Sequence, residues 1–202
     1  FMFDGIDLMM DLQFRVAQRE DLTVAFTRDL PLQARSELAR LDGVTRVETF
    51  QMVPVRLRSG HRERELAVTG LEPDTRLRRI VSQDGHVHPV PLSGMVLSSL
   101  LAERLEVERG DTLEVEALTG LRRSRGIVVA DIVDDILGVS AYMNAEELRR
   151  LTREGPRASG AYLLTDGRTE STVSEDLKAA PAVATVVSPT TMIESFQAQL
   201  DE

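Results

Sequence analysis

An α+β protein with two lobes is predicted by three features of the 202-residue sequence. A strand-helix-strand plan opens the chain and the same plan closes it. Between them lies a stretch broken up by glycine and proline, whose apolar residues alternate with a period of two. The predicted fold is therefore a discontinuous α/β lobe built from two βαβ-like units, residues 20–82 with 158–202. It carries an inserted small β-rich lobe, residues 83–157, and is preceded by a helical extension over residues 1–19. The two units are expected to share one sheet, because only their pairing buries the apolar faces of both helices.

Each element follows from local pattern. Seven of the first ten residues are apolar (Phe1, Met2, Phe3, Ile6, Leu8, Met9 and Met10), which reads either as an amphipathic helix on its own domain or as the trimmed end of a transmembrane helix. Phe rather than Met at position 1 leads to the expectation that the chain is excised from something longer. Leu22 to Thr27 alternates and is rich in β-branched residues, a strand. Pro31 is expected in the first turn of a helix, with Leu32, Ala34, Leu38, Ala39 and Leu41 at near-helical spacing and Gly43 as the stop. Val44 to Phe50 and Met52 to Leu57 read as one long or bulged strand in which Pro54 demands an edge or a bulge, and Ser59-Gly60 turns it into Glu65 to Thr69.

In the middle stretch, strands are expected at Met95–Leu97, Thr112–Leu118 and Ile127–Val133. A short helix from Ser99 to Leu105 covers them with Leu100, Leu101 and Leu105, and Gly110-Asp111 forms the next turn with Gly110 at positive φ. Asn144 and Glu147 have the spacing of a capping box for a helix ending before Gly155-Pro156. The closing unit is a strand at Ala161–Thr165, a helix capped by Thr169 and a strand at Val183–Val187. Its wording echoes the opening unit. Glu37-Leu38 precedes Val44 and Val47 at the offsets by which Asp176-Leu177 precedes Val183 and Val186.

Composition narrows function. With 42% hydrophobic and 28% charged residues the chain folds, and a net charge of −9 repels phosphate backbones, which argues against nucleic acid as a partner. Cysteine and tryptophan are absent, which removes disulfides, thiolate nucleophiles and cysteine-based zinc sites. No stretch of about 18 apolar residues is present.

Candidate chemistry is sparse. Asp84, His86 and His88 alternate and share a face on a strand, as metal ligands do, but Asp84-Gly85 is also a turn dipeptide, and a solvated polar face is the favoured reading. Asp131, Asp134 and Asp135 supply hard oxygens without the glycine-centred loop of a calcium site. Ser98 and Ser99 precede a helix and lack a nucleophile elbow, so they read as caps. The one lysine, Lys178, follows Leu177 rather than glycine, which excludes a nucleotide-binding phosphate loop. Arg56, Arg58, Arg62 and Arg64 interleave with Glu63 and Glu65, the pattern of cross-strand charge pairs on a solvated face. His61, His86 and His88 all fall in expected turns, where burial is not expected. No catalytic, cofactor-binding or metal-binding residue is assigned.

The run from Gly94 to Val115, with Gly110-Asp111 after its short helix, resembles the extracytoplasmic domain of FtsX-like and MacB-like ABC transporter permeases. So do Ile127 to Asp135 followed by Ala141-Tyr142-Met143, and the helix-end pattern Gly43-Val44-Thr45-Arg46-Val47 with its echo at Ala182 to Val186. The resemblance covers essentially the whole chain in order. It implies a periplasmic core domain inserted between two membrane helices, with a porter-like α/β lobe near the membrane and a sabre-like β-rich lobe above it. It also implies a cell-membrane protein with this domain on the periplasmic or extracellular side, and no active site in the domain. Implied partners are the permease's own transmembrane helices, a cytoplasmic ABC ATPase reached through them, and a partner protein or lipophilic substrate outside. The implied role is mechanotransmission in transmembrane transport, lipoprotein handling or cell-envelope regulation. A ligand-binding or sensory ectodomain is the alternative, and a free-standing enzyme is a third class.

Overall fold

The computed structural model describes residues 16–135, 138–167 and 169–189. The helical extension expected over residues 1–19 therefore lies outside the described residues except for 16–19. In chain order the elements are β1 (Leu22–Pro31), α1 (Gln33–Leu38), β2 (Val44–Ser59), β3 (Arg62–Leu71), the short pair β4 (Ile80–Val81) and β5 (Val87–His88), and β6 (Met95–Ser98). They continue with α2 (Ser99–Leu105), β7 (Thr112–Ala117), β8 (Ser124–Val133), β9 (Ala141–Asn144), α3 (Ala145–Thr152), β10 (Arg157–Thr165), α4 (Glu170–Ala179) and β11 (Val183–Val187).

The opening and closing units interlock. Their strands lie in the order β11-β1-β10-β2, with every neighbour antiparallel, which is the split βαβ arrangement. One face of this sheet carries Leu22, Val24, Val47, Ala161 and Leu163, and both α1 and α4 pack on it through Leu38, Val173 and Leu177. The strand period of two sends Phe50, Tyr162 and Leu164 to the other face, where Leu77, Ile80 and Val90 of the connection between β3 and β6 cover them.

β2 leaves this sheet halfway along its 16 residues. Up to Phe50 it pairs with β10; from Gln51 onward it pairs with β3, and from Val55 to Arg58 also with β7. The ladder β2-β3-β9-β6-β8-β7 returns to β2, so among the described residues these strands close into a barrel. Its interior holds Val55, Leu57, Met95, Leu97, Leu113 and Met143, and the apolar faces of α2 and α3 (Leu101, Leu105, Leu148, Leu151) plug it.

Pro54 shows how the shared strand is built. Its carbonyl accepts from Leu118 N–H at 2.9 Å, so the side of β2 on which a Pro54 N–H would emerge is the gap between the last β10 pair and the first β7 pair. A missing donor costs nothing there. Met52, the preceding residue on that side, gives its N–H to Ser159 Oγ at 2.9 Å instead of to a strand. The expected edge is thus a local one inside a long strand.

Several details differ from the sequence-based expectations. Pro31 ends β1, paired with Arg157, rather than opening α1. Leu100 is exposed, and Ala102 takes the buried place on α2 beside Leu101 and Leu105. Asn144 caps α3 by accepting from Glu146 N–H at 2.9 Å, while Glu147 turns away from the cap to accept from Gly94 N–H at 2.7 Å and Ser93 Oγ at 3.0 Å. Thr169 gives its hydroxyl to Asp166 and does not cap α4. A division at residue 82/83 also cuts through the barrel, because half of β2 and all of β3 are barrel strands. Gly110 has φ +97°, as its turn requires, with Asp111 Oδ2 accepting from Glu108 N–H at 2.8 Å.

Candidate coupling site

The described chain enters beside the connection that follows β3. Arg19 N–H donates to Leu77 O and Arg79 N–H to Ala17 O, both at 2.8 Å, so residues 16–19 form a short bridge with the segment around Arg78. Immediately afterwards Asp21 fastens to β10, donating its N–H to Leu163 O at 2.9 Å and accepting from Thr165 N–H at 2.7 Å and Thr165 Oγ1 at 3.0 Å. The lead-in segment is therefore held by two separate parts of the molecule within five residues.

Side chains deepen this attachment. Arg78 donates to Glu20 Oε1 at 2.5 Å, and the Glu20 side chain is fully buried. The guanidinium also sits 4.6 Å above the Tyr162 ring, which in turn stacks on Phe50 at 4.5 Å. Glu20 Oε2 and Arg78 Nε have no hydrogen-bond partner among the described residues. Burial accordingly raises the pKa of Glu20, against the pull of Arg78, and burial pushes the Tyr162 phenol up to about 12.

A second buried carboxylate, Glu48 of β2, binds the same connection. Glu48 accepts from Leu77 N–H at 2.9 Å, from Arg76 N–H at 3.0 Å, from Thr75 Oγ1 at 2.8 Å and from Arg46 Nε at 2.7 Å. Burial opposes its charge, but this set of donors outweighs burial and holds its pKa below the usual value. Glu48 thus clasps the loop that carries Arg78 to β2. The arrangement ties the lead-in segment, the shared strand and β10 into one unit.

The residues singled out from sequence go elsewhere. His86 and His88 do meet, with ring centroids 5.2 Å apart. Asp84, however, accepts from Ser82 Oγ and His86 N–H within its own turn, and no group of three ligand-type residues able to hold a metal occurs among the described residues. His88 is not free in a turn as expected. It lies on β5, 20% exposed, with Nδ1 2.9 Å from Asp131 Oδ2 and Nε2 3.3 Å from Ser82 Oγ. Ser82, His88 and Asp131 therefore have the connectivity of a catalytic triad, but Ser82 Oγ also lies within hydrogen-bond distance of the Asp84 carboxylate and His86 O in its own turn. The three aspartates separate: Asp131 to His88, Asp134 to Gln83, and Asp135 to Ser140 and Tyr142. Ser98 caps α2 and also accepts from Ser140 N–H at 3.0 Å.

Arg56 and Arg58 do form a charge ladder. β3 supplies Glu65 and Glu63 on one side, and β7 supplies Glu116 and Glu114 on the other. Arg62 reaches Glu106, and Arg64 donates to Glu63 O. Arg56, Arg58 and Arg62 are thus paired with carboxylates, consistent with a solvated face. Glu20, Glu48, Arg78 and Tyr162 were not singled out. The only sequence signal was Glu48 on the same strand parity as Phe50, a charge where alternation calls for an apolar residue.

Neither a protein-family model nor a curated protein matches the sequence. Solved structures do. The periplasmic region of MacB from Actinobacillus actinomycetemcomitans superposes with a TM-score of 0.56 at 13% identity, over 91% of this chain and 95% of that one. The chain has the MacB periplasmic fold. The extracellular domain of the noncanonic ABC-type transporter YknZ from Gram-positive bacteria matches with a TM-score of 0.50 at 14% identity, over 82% of this chain and 99% of that one. The MacB-like fold is thus kept at identities where sequence comparison is silent. Among the described residues no helix is long and apolar enough to cross a membrane.

Proposed function

We propose that this chain is the extracytoplasmic domain of an FtsX-like or MacB-like ABC permease, and that it carries ATP-driven motion of the membrane helices to a substrate or partner outside the cytoplasm. The observation that carries this reading is the MacB-like fold over 91% of the chain. The lead-in segment supports it. Residues 16–21 are lashed to β10 and to the β3–β6 connection, as a displaced helix requires if its movement is to reach the body. Both described ends leave from one end of the sheet, since Thr23 pairs with Val187, which suits insertion between two membrane helices. In this reading residues 1–19 continue a transmembrane helix, 20–82 with 158–202 form the membrane-near lobe, and 83–157 form the outer lobe. The strand pairing argues for assigning Gln51–Leu71 to the outer lobe. The partners are the permease's own helices, a cytoplasmic ABC ATPase, and an extracytoplasmic protein or lipophilic substrate. The domain transmits and does not catalyse.

The test uses the full-length protein with its ATPase. Replacing residues 11–17 with a flexible Gly-Ser segment is expected to abolish ATP-coupled activity while leaving folding and membrane insertion intact. Full activity with the flexible segment overturns transmission. A full-length sequence with no membrane spans after Glu202 overturns the permease reading itself.

A further inference from the structure

We infer that the β7–β8 hairpin tip docks an extended acidic segment of a partner protein. The chain carries a net charge of −9, yet residues 121–125 hold three arginines and no acid. Leu121 in the same tip is 71% exposed. Arg122 reaches Glu116 at 3.3 Å, but Arg123 and Arg125 have no ion-pair partner among the described residues, unlike the saturated ladder of Arg56 and Arg58. Arg122 also sits at φ +47°, a conformation that glycine or asparagine takes at lower cost. A long cation is kept where the backbone disfavours it, which points to use of the side chain.

The tip begins beside Pro54, whose carbonyl accepts from Leu118 N–H. Arginines around an exposed leucine fit a segment alternating carboxylates and apolar side chains.

Lipid headgroups have the same charge, and distance decides against them. This step rests on the reading above, in which the chain ends face the membrane. Leu22 lies beside Leu163, which pairs with Val47, and Pro54 is seven residues farther along β2, about 23 Å at a strand rise of about 3.3 Å. Attraction to an anionic bilayer is screened within about 8 Å at physiological salt.

The test is fluorescence anisotropy of the full-length protein with a short fluorescein-labelled peptide alternating glutamate and leucine. Saturable binding is expected, weakening about tenfold in the double variant R123E/R125E and with added salt. Leu121→Ser is expected to weaken it independently. Equal affinity in the double variant overturns the inference, as does equal affinity for a lysine-leucine peptide. Sedimentation with phosphatidylglycerol vesicles that the double variant abolishes assigns the tip to lipid instead. Self-association lost in the same variant assigns it to a second copy. Tip-dependent peptide binding in a protein without ATP-coupled activity keeps this inference and sinks the transmission reading; coupled activity without peptide binding does the reverse.

Discussion

Two buried glutamates that bind one connection respond to acid in opposite directions. Donors hold Glu48 below its usual pKa, so between that lowered value and about 4.5 the unfolded chain binds the proton and the folded chain does not. Stability from Glu48 is present above the window and lost as pH falls through it. Burial raises Glu20, so between 4.5 and its raised value the folded chain binds the proton first, and stability rises as pH falls. Unfolding free energies of wild type, Glu48→Gln and Glu20→Gln across acid pH check both signs. The advantage of wild type over Glu48→Gln is expected to shrink with acid, and its balance against Glu20→Gln to move in favour of wild type. Parallel curves for the two variants contradict the assignment. At neutral pH Glu48→Gln is expected to cost about 2 kcal/mol, because charge-assisted bonds to buried backbone N–H groups are lost.

Helices and strands were legible where the signal is local. The echo of Glu37-Leu38 in Asp176-Leu177 marks two helices that pack on one face, and Leu38 and Leu177 are buried there. Alanine at either is expected to lower stability by about 2–5 kcal/mol in denaturant titration. Two glycines are needed for different reasons, and one variant of each separates them. Gly110 has open space around a Cβ, so Gly110→Val costs only the strain of positive φ, about 1–2 kcal/mol. A Cβ on Gly160 lies 2.2 Å from Val24 O and 2.4 Å from the Phe50 ring, so Gly160→Ala is expected to cost about 2–3 kcal/mol by overpacking. What stayed hidden depends on distant partners. Apart from Arg46, Glu48 finds its donors 27 to 29 residues away, and Arg76 to Arg79 reads as a solvated charge run until Glu20 and Tyr162 are seen against it. The sharing of β2 between two bodies was equally invisible, because the residues that pair with it on either side of Pro54 come from opposite parts of the chain.

Across the whole molecule, β2 runs through both bodies, and the apolar cluster of Phe50, Tyr162, Val96 and Val133 spans them as well. A single calorimetric transition is expected for the wild type. Inserting two glycines between Gln51 and Met52 is expected to split it, since the first half of the strand would keep β10 while the second kept β3 and β7. A single transition in the insertion variant shows that the bodies are joined elsewhere. The same strand sets how the molecule answers a pull. Force applied between the start of β1 and the end of β11 acts on neighbouring antiparallel strands, Thr23 against Val187, and parts their bonds one after another like a zipper, at low load. Force between the lead-in segment and the hairpin tip runs along β2 instead, where the bonds to β10, β3 and β7 are loaded together in shear. A domain wired this way yields when its two roots are drawn apart and resists when its crown is pushed or pulled, which optical-trap measurements along the two axes distinguish directly.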